Sequence, residues 1–347
     1  MNILNEANNI VNKRSQEADR QYGPFSEGME KAAQLATIMS NKNISTIDMF
    51  NCMMALKLSR ESYSHKTDNL LDLVAYAGGL ENYHQQKIIK PKILNNTKYK
   101  MYQDLYNAPI ITVRGLETKE LLNYKLIIKP YDRFFNFKGR NMNLNYIKQE
   151  FKWYIKGDKY DTSITQHAKI WKDLINEDGS INSNYGQYIN TNLVRCYETL
   201  VNDKYSRRAI IMIGNNNNFN SRTKDYCCTL SMSFQIRNNE LLMTVHMRSN
   251  DAIFGLTNDV PAFSFYHEML YVLLRDNFYP DLKLGNYTHL VDSFHIYKRH
   301  FKMLNNILEN AIELKVDCPK IKDAKEVEYL LENKINKNYE FSNWLLK

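Results

Sequence analysis

Between Lys224 and Asp259, two runs of alternating, apolar-rich residues flank the pair Asn238-Asn239. Alternation with a period of two predicts strands, and an Asn pair supplies turn conformations that most residues resist. The segment therefore reads as a β-hairpin. With the turn at that pair, Cys228 falls opposite the 248–249 region across the open end. The thiol and the Arg248 guanidinium are thereby brought together. A nearby cation favours thiolate, the nucleophilic form. The plainer alternative is a buried Cys and a surface Arg that share a strand end.

Ile110–Val113 also reads as a strand. Asn145–Lys156 reads as an amphipathic helix whose apolar side carries Tyr146, Phe151, Trp153, Tyr154 and Ile155. Glu150 lies among these residues and shares a face with Trp153, three positions on. A carboxyl in apolar surroundings has a raised pKa, which suits proton shuttling. Pro261–Leu274 predicts a largely buried helix, and Phe301–Leu314 another. His295 and Tyr297 alternate on a strand and face one side. His267-Glu268 lacks the second His of a zinc motif and reads as structural.

Residues 1–85 read as a small all-α domain, with helices at Leu4–Gln21, Glu27–Met39, Thr46–Ser62 and Asp68–Gly79. Ser45 is the expected N-cap of the third, and Met49, Met53 and Leu56 its core stripe. Asp68 and Asp72 share one helix face and read as a solvated or salt-bridged pair with Lys57 or Arg60 as partner. A magnesium-binding catalytic role and a docking or regulatory role are the alternatives. Residues 86–105 are basic and lack a clear period, so they read as a linker before a larger domain over 106–347.

The 347 residues are 44% hydrophobic and 12% aromatic, enough for a substantial core and two domains. A net charge of +8, spread along the chain, suits a phosphate-bearing substrate and does not by itself argue for nucleic acid. No apolar run approaches the ~20 residues of a membrane span. The first residues lack a signal peptide's apolar core, so a cytoplasmic location is expected. The five cysteines show neither CxxC nor zinc spacing, so reduced thiols and no metal are expected. The run Asn215–Asn218 reads as a loop.

Several motifs, in one order, carry a resemblance. Glu150-x-x-Trp153-x-x-x-Gly157-Asp158 comes first, then Ile170-Trp171, Asn184-Tyr185-Gly186, and Ser206-Arg207-Arg208 before a strand. Cys228, Arg248-Ser249-x-Asp251, Gly255 and His295-x-Tyr297-x-x-His300 follow. From about Ile110 to the C-terminus the chain resembles the thymidylate synthase superfamily. Residues 1–85 resemble a helical domain of unknown function that recurs in phage proteins, through Arg14, Tyr22-Gly23, Lys57-Leu58-x-Arg60 and Asp68-x-x-x-Asp72-x-x-x-Tyr76.

The resemblance implies an α/β (α+β) fold with a mixed sheet and surrounding helices. It also implies 5,10-methylenetetrahydrofolate as co-substrate, and a homodimer in which Arg207 and Arg208 reach the other subunit's phosphate. Cys228 would be the nucleophile, and Glu150 would organise water and protons. Arg114, Arg248 and Ser249 would join the phosphate site. Tyr185, His295 and Tyr297 would hold base and sugar, and Trp171, Asp251 and Gly255 the folate. The C-terminal segment, with Trp344, would close over the folate. The match departs from the family at Arg114-Gly115-Leu116, where Arg-Thr-Gly is usual, and a solvated loop Arg is the alternative there. Cys227 replaces the usual Pro, and Thr229 the usual His of thymidylate synthases.

Asp259 lies where thymidylate synthases place Asn, whose amide serves both N3–H and O4 of uracil. An ionised carboxylate cannot donate to O4, but it accepts from an exocyclic amine, as carboxylates do from cytosine N4. Asp259 thus resembles the dCMP hydroxymethylase branch, with a turn or capping Asp as the plain alternative. Two other functions stay open. One is a thymidylate synthase or dUMP hydroxymethylase with a protonated Asp259. The other is a non-catalytic subunit of a nucleotide-synthesis complex.

Overall fold

The computed structural model describes residues 2–13, 25–94, 96–216, 219 and 223–347. Arg14, Tyr22-Gly23 and the last two residues of the Asn215–Asn218 run lie outside them. The chain divides into two compact units, Met1–Asn95 and Asn96–Lys347.

In the first unit, α1 (Ile3–Asn8) is capped by Asn2 and runs into a π turn at Asn9–Lys13. It is followed by α2 (Phe25–Ser40), α3 (Thr46–Tyr63) and α4 (Thr67–Leu94). Ser45 caps α3 in a reciprocal box: its hydroxyl accepts from the Asp48 N–H at 3.1 Å, and the Asp48 carboxylate accepts from the Ser45 N–H at 2.8 Å. The expected α3 stripe is rotated. Phe50 is fully buried, whereas Leu56 is 41% exposed. Aromatic size decides this face: the Phe50 ring packs 6.1 Å from Tyr83 of α4. Lys57 pairs with Asp72, as expected of that acidic face.

The stretch expected as a linker, 86–105, is largely helical, and the boundary between the two units falls within it. Its first part prolongs α4 to Leu94, and Thr97–Asn107 forms α5, which buries Tyr99, Met101, Tyr102 and Leu105. The lysines between them obscure this apolar face in the sequence. Lys98 is itself buried, donating to the Phe134 carbonyl at 2.7 Å and to Glu313 at 2.7 Å.

The second unit continues with β1 (Ile110–Val113), β2 (Leu116–Ile128), α6 (Leu144–Lys156), α7 (Ile170–Asp173) and α8 (Gly186–Asn202). Next come β3 (Ile210–Met212), β4 (Thr229–Arg237), β5 (Glu240–Asp251) and α9 (Gly255–Asn277). The order closes with β6 (Lys283–Tyr297), α10 (Phe301–Asn310), α11 (Ala324–Leu331) and α12 (Glu340–Leu346). The strands form one mixed sheet in the order β1-β2-β6-β5-β4-β3. Every pair is antiparallel except β5 with β6, which α9 joins as a crossover.

The β4–β5 hairpin turns at Asn238 and Asn239, both at positive φ (49° and 60°), as type I′ geometry requires. Its register slips at a bulge between Thr229 and Ser231. The bulge re-aims the strand end and sets the Cys228 carbonyl to accept from the Arg248 N–H at 2.9 Å.

Helix α9 begins at Gly255, six residues before the expected start. Pro261 lies inside it, giving up one backbone N–H. Asp259 therefore projects from a helix and not from a loop. Trp344 does not line the cavity described below. On α12 itself, it packs on Phe341, Phe265 and Phe134, with ring centroids 5.9, 6.1 and 6.4 Å away.

Candidate active site

The ends of β2, β4, β5 and β6, with α6, α7 and the start of α9, enclose a cavity of about 780 Å³. Cys228, Glu150, Asp259, Arg114, Arg248, Ser249, Tyr185, His295, Tyr297, Trp171, Asp251 and Gly255 all line it. Residues spread over more than 180 positions converge on one site because β5 and β6 run parallel and end together. Their paired residues include Ser249 with Ser293 and Asp251 with His295.

Arg248 is held by the hairpin it belongs to. Its Nε donates to the Cys227 carbonyl and its Nη2 to the Tyr226 carbonyl, each at 2.9 Å. The same Nη2 lies 3.7 Å from Cys228 Sγ. The cation pulls the thiol pKa down, as expected, but burial outweighs it and pushes Cys228 up to about 11. The expected thiolate is therefore not the resting form of the free site. Cys227 is fully buried, points its thiol at the Asn182 carbonyl at 3.4 Å, and stands outside the cavity lining.

Glu150 is buried on α6. Its Oε1 accepts from the Tyr146 hydroxyl at 2.6 Å, which in turn accepts from Trp171 Nε1 at 2.8 Å. Its Oε2 is buried with no partner among the described residues. Burial first, and Asp259 second, push Glu150 up to about 8. Burial likewise pushes Asp259 up to about 7. One cavity thus holds two carboxyl groups that exchange protons near neutrality, beside a thiol.

Tyr185 precedes α8, and its hydroxyl accepts from the Thr229 N–H at 3.4 Å. His295 and Tyr297 face one side of β6, with ring centroids 4.9 Å apart. Asp251 accepts from the backbone N–H groups of Ile253 and Phe254, at 3.2 and 3.0 Å, and so shapes the entry to α9. Arg114 sits at positive φ in the β1–β2 turn, on the cavity rim. Arg207 and Arg208 are exposed just before β3 and are outside the lining. Sequence reasoning passed over Tyr146 as a functional group and left Asn250 as a spacer. The only signal was position: Tyr146 is one turn before Glu150, and Asn250 lies inside Arg248-Ser249-x-Asp251.

Residues 92–341 match the family model described as thymidylate synthase, and residues 2–84 match one described as a domain of unknown function. The chain is 29% identical over 216 residues to the deoxycytidylate 5-hydroxymethyltransferase of Enterobacteria phage T4. That match covers 57% of this chain and 82% of the phage T4 protein. It is 26% identical over 255 residues to the deoxyuridylate hydroxymethyltransferase of Bacillus phage SP01, covering 65% of each. The thymidylate synthase match spans well over half of the chain and includes the whole cavity, so the chain belongs to the thymidylate synthase family.

Proposed function

We propose that this protein is a deoxycytidylate 5-hydroxymethyltransferase, forming 5-hydroxymethyl-dCMP from dCMP, 5,10-methylenetetrahydrofolate and water. The observation that carries this reading is Asp259, a carboxyl and not an amide, in the cavity with Cys228 and Glu150. Cys228 gives its Sγ proton to a cavity carboxylate and attacks C6; the S–C6 bond forms as the C5–C6 π bond breaks, and C5 becomes nucleophilic. Asp259 accepts from the N4 amine and shares a proton with N3, which draws electrons from C6. Trp171, Ile170 and Leu174 give a flat, apolar wall that fits a pterin ring. C5 takes the one-carbon unit of the folate, and once the C5 proton is lost the C–N bond breaks, tetrahydrofolate leaves and an exocyclic methylene remains on C5. Glu150, with its free Oε2, takes up and returns protons as the C5 hydrogen leaves and water adds to the exocyclic methylene. Loss of the S–C6 bond then restores the thiol. Arg114, Arg248 and Ser249 bind the phosphate, with Arg207 and Arg208 supplied by the other subunit of a homodimer.

A second reading has one observation in its favour. At about 7, Asp259 is partly protonated at neutral pH and then donates to O4 of uracil, as dUMP turnover requires. Tritium release from [5-³H]dCMP and [5-³H]dUMP, with folate and mass identification of the product, decides between them. Release from dCMP with a hydroxymethyl product is the expected result. Release from dUMP alone overturns it.

A further inference from the structure

Asp259 is held by a chain of side chains that starts at Asn250 in the cavity wall and runs behind it. Its Oδ2 accepts from Asn250 Nδ2 at 2.7 Å. Asn250 Oδ1 lies 3.3 Å from His289 Nε2, and His289 Nδ1 lies 2.6 Å from the Tyr287 hydroxyl. All three partners are buried, at 4%, 1% and 2% exposure, on the neighbouring strands β5 and β6. His289 and Tyr287 do not line the cavity. Gly255 makes room for the amide: a Cβ there would come within 3.0 Å of Asn250 Nδ2.

The chain of bonds has a direction. An ionised carboxylate only accepts, so Asn250 turns its NH₂ to Asp259 and its carbonyl oxygen to His289. Burial pushes His289 down to about 3, so the ring is neutral and carries one N–H. That hydrogen must be on Nε2 to serve Asn250, which leaves Nδ1 to accept from Tyr287. Running the chain in the opposite order requires a protonated Asp259.

We infer that Tyr287, His289 and Asn250 form a positioning relay for base choice: by donating to Asp259 they favour its ionised form, suited to an exocyclic amine, over the protonated form that a uracil O4 requires. The inference rests on the reading of Asp259 as the base-contacting residue. Burial pushes Asp259 up, the Asn250 hydrogen bond pulls it down, and Asp251 adds a smaller upward push. Glu150, Tyr146 and Tyr154 face it from α6, Tyr185 from the start of α8, Cys228 from the hairpin and Tyr287 from β6. None of these donates to it in place of Asn250.

The test measures kcat/KM for dCMP and dUMP from pH 5 to 9 in the full chain, in Asn250→Ala and in Tyr287→Phe. In Asn250→Ala, the pH limb belonging to Asp259 moves up by about one unit, and the preference for dCMP over dUMP falls about tenfold. Tyr287→Phe removes only a buried hydroxyl and moves both quantities the same way by less; it decides the matter if Asn250→Ala does not fold. An equal loss on both bases with an unmoved pH profile means a structural role only and overturns the relay. A wild type that does not prefer dCMP overturns the Asp259 reading itself, before any variant is compared.

Discussion

The guanidinium of Arg248 lies 3.7 Å from Cys228 Sγ, yet it is pinned by the carbonyls of Cys227 and Tyr226. The thiol proposed as nucleophile and its neighbouring cation are thus set by one strand end, and the guanidinium is held by backbone carbonyls of the chain itself. Alkylation of Cys228 by iodoacetamide, followed by mass spectrometry of its peptide, reads the thiolate fraction. Removing a cation raises a thiol's pKa, so Arg248→Ala slows alkylation at pH 8 about tenfold. An unchanged rate would show that Arg248 does not tune the thiol.

Two adjacent cysteines make the nucleophile separable by mutation. Cys228→Ser abolishes tritium release from the nucleotide, because a hydroxyl in that position is a far weaker nucleophile. Cys227→Ser retains activity within a few-fold, since Cys227 faces the Asn182 carbonyl and not the cavity. The opposite pattern would move the nucleophile by one residue.

Asp259→Asn replaces an acceptor with an amide that serves N3–H and O4 together. Turnover of dUMP relative to dCMP rises at least about tenfold, measured as the ratio of the two kcat/KM values. No rise would remove Asp259 from base recognition.

Much of this was legible in the sequence. The Asn238-Asn239 hairpin, the Glu150 helix and the pairing of Lys57 with Asp72 follow from period, turn chemistry and helical spacing. What was not legible depended on context that lies far away in the chain. α5 hides its buried face among lysines, one of which is neutralised by Glu313. α9 starts at Gly255, just after the Asp251 carboxylate has turned the chain by accepting from the Ile253 and Phe254 N–H groups, where the proline further on suggested a later start. The Cys228 thiol was expected to ionise beside Arg248, but its burial by distant elements dominates. The Asn250–His289–Tyr287 chain depends on two parallel strands whose pairing no local pattern announces.

Gly186 begins α8 where that helix presses on α6. A Cβ there would fall 1.6 Å from the Tyr154 carbonyl oxygen. Asn190, one turn on, donates to that carbonyl at 3.0 Å and to that of Ile155 at 2.7 Å, which locks the two helices at contact distance. Gly186→Ala therefore forces a backbone shift and destabilises the protein by about 3 kcal/mol or more, read by urea unfolding. A loss below about 1 kcal/mol would mean that α6 and α8 separate freely.

Glu150 links activity to stability through pH. Its carboxyl titrates at about 8 in the folded protein against an ordinary value of 4.5, chiefly because it is buried. Between those values the folded state keeps a proton that the unfolded chain has released. Stability is therefore greatest below about pH 4.5 on this account, and falls as pH rises to about 8, by on the order of 1.4 kcal/mol per pH unit at most. Asp259, raised from 3.8 to about 7, acts in the same direction over the lower part of that range. Glu150→Gln carries no such proton. It should lose at least about 100-fold in kcat, as expected for removal of a general acid–base. At the same time, its urea midpoint should drop less than that of the wild type between pH 5 and pH 8. Equal drops in the two proteins would mean that Glu150 is already ionised in the folded state, and its place as the proton carrier of the site would fall with that result.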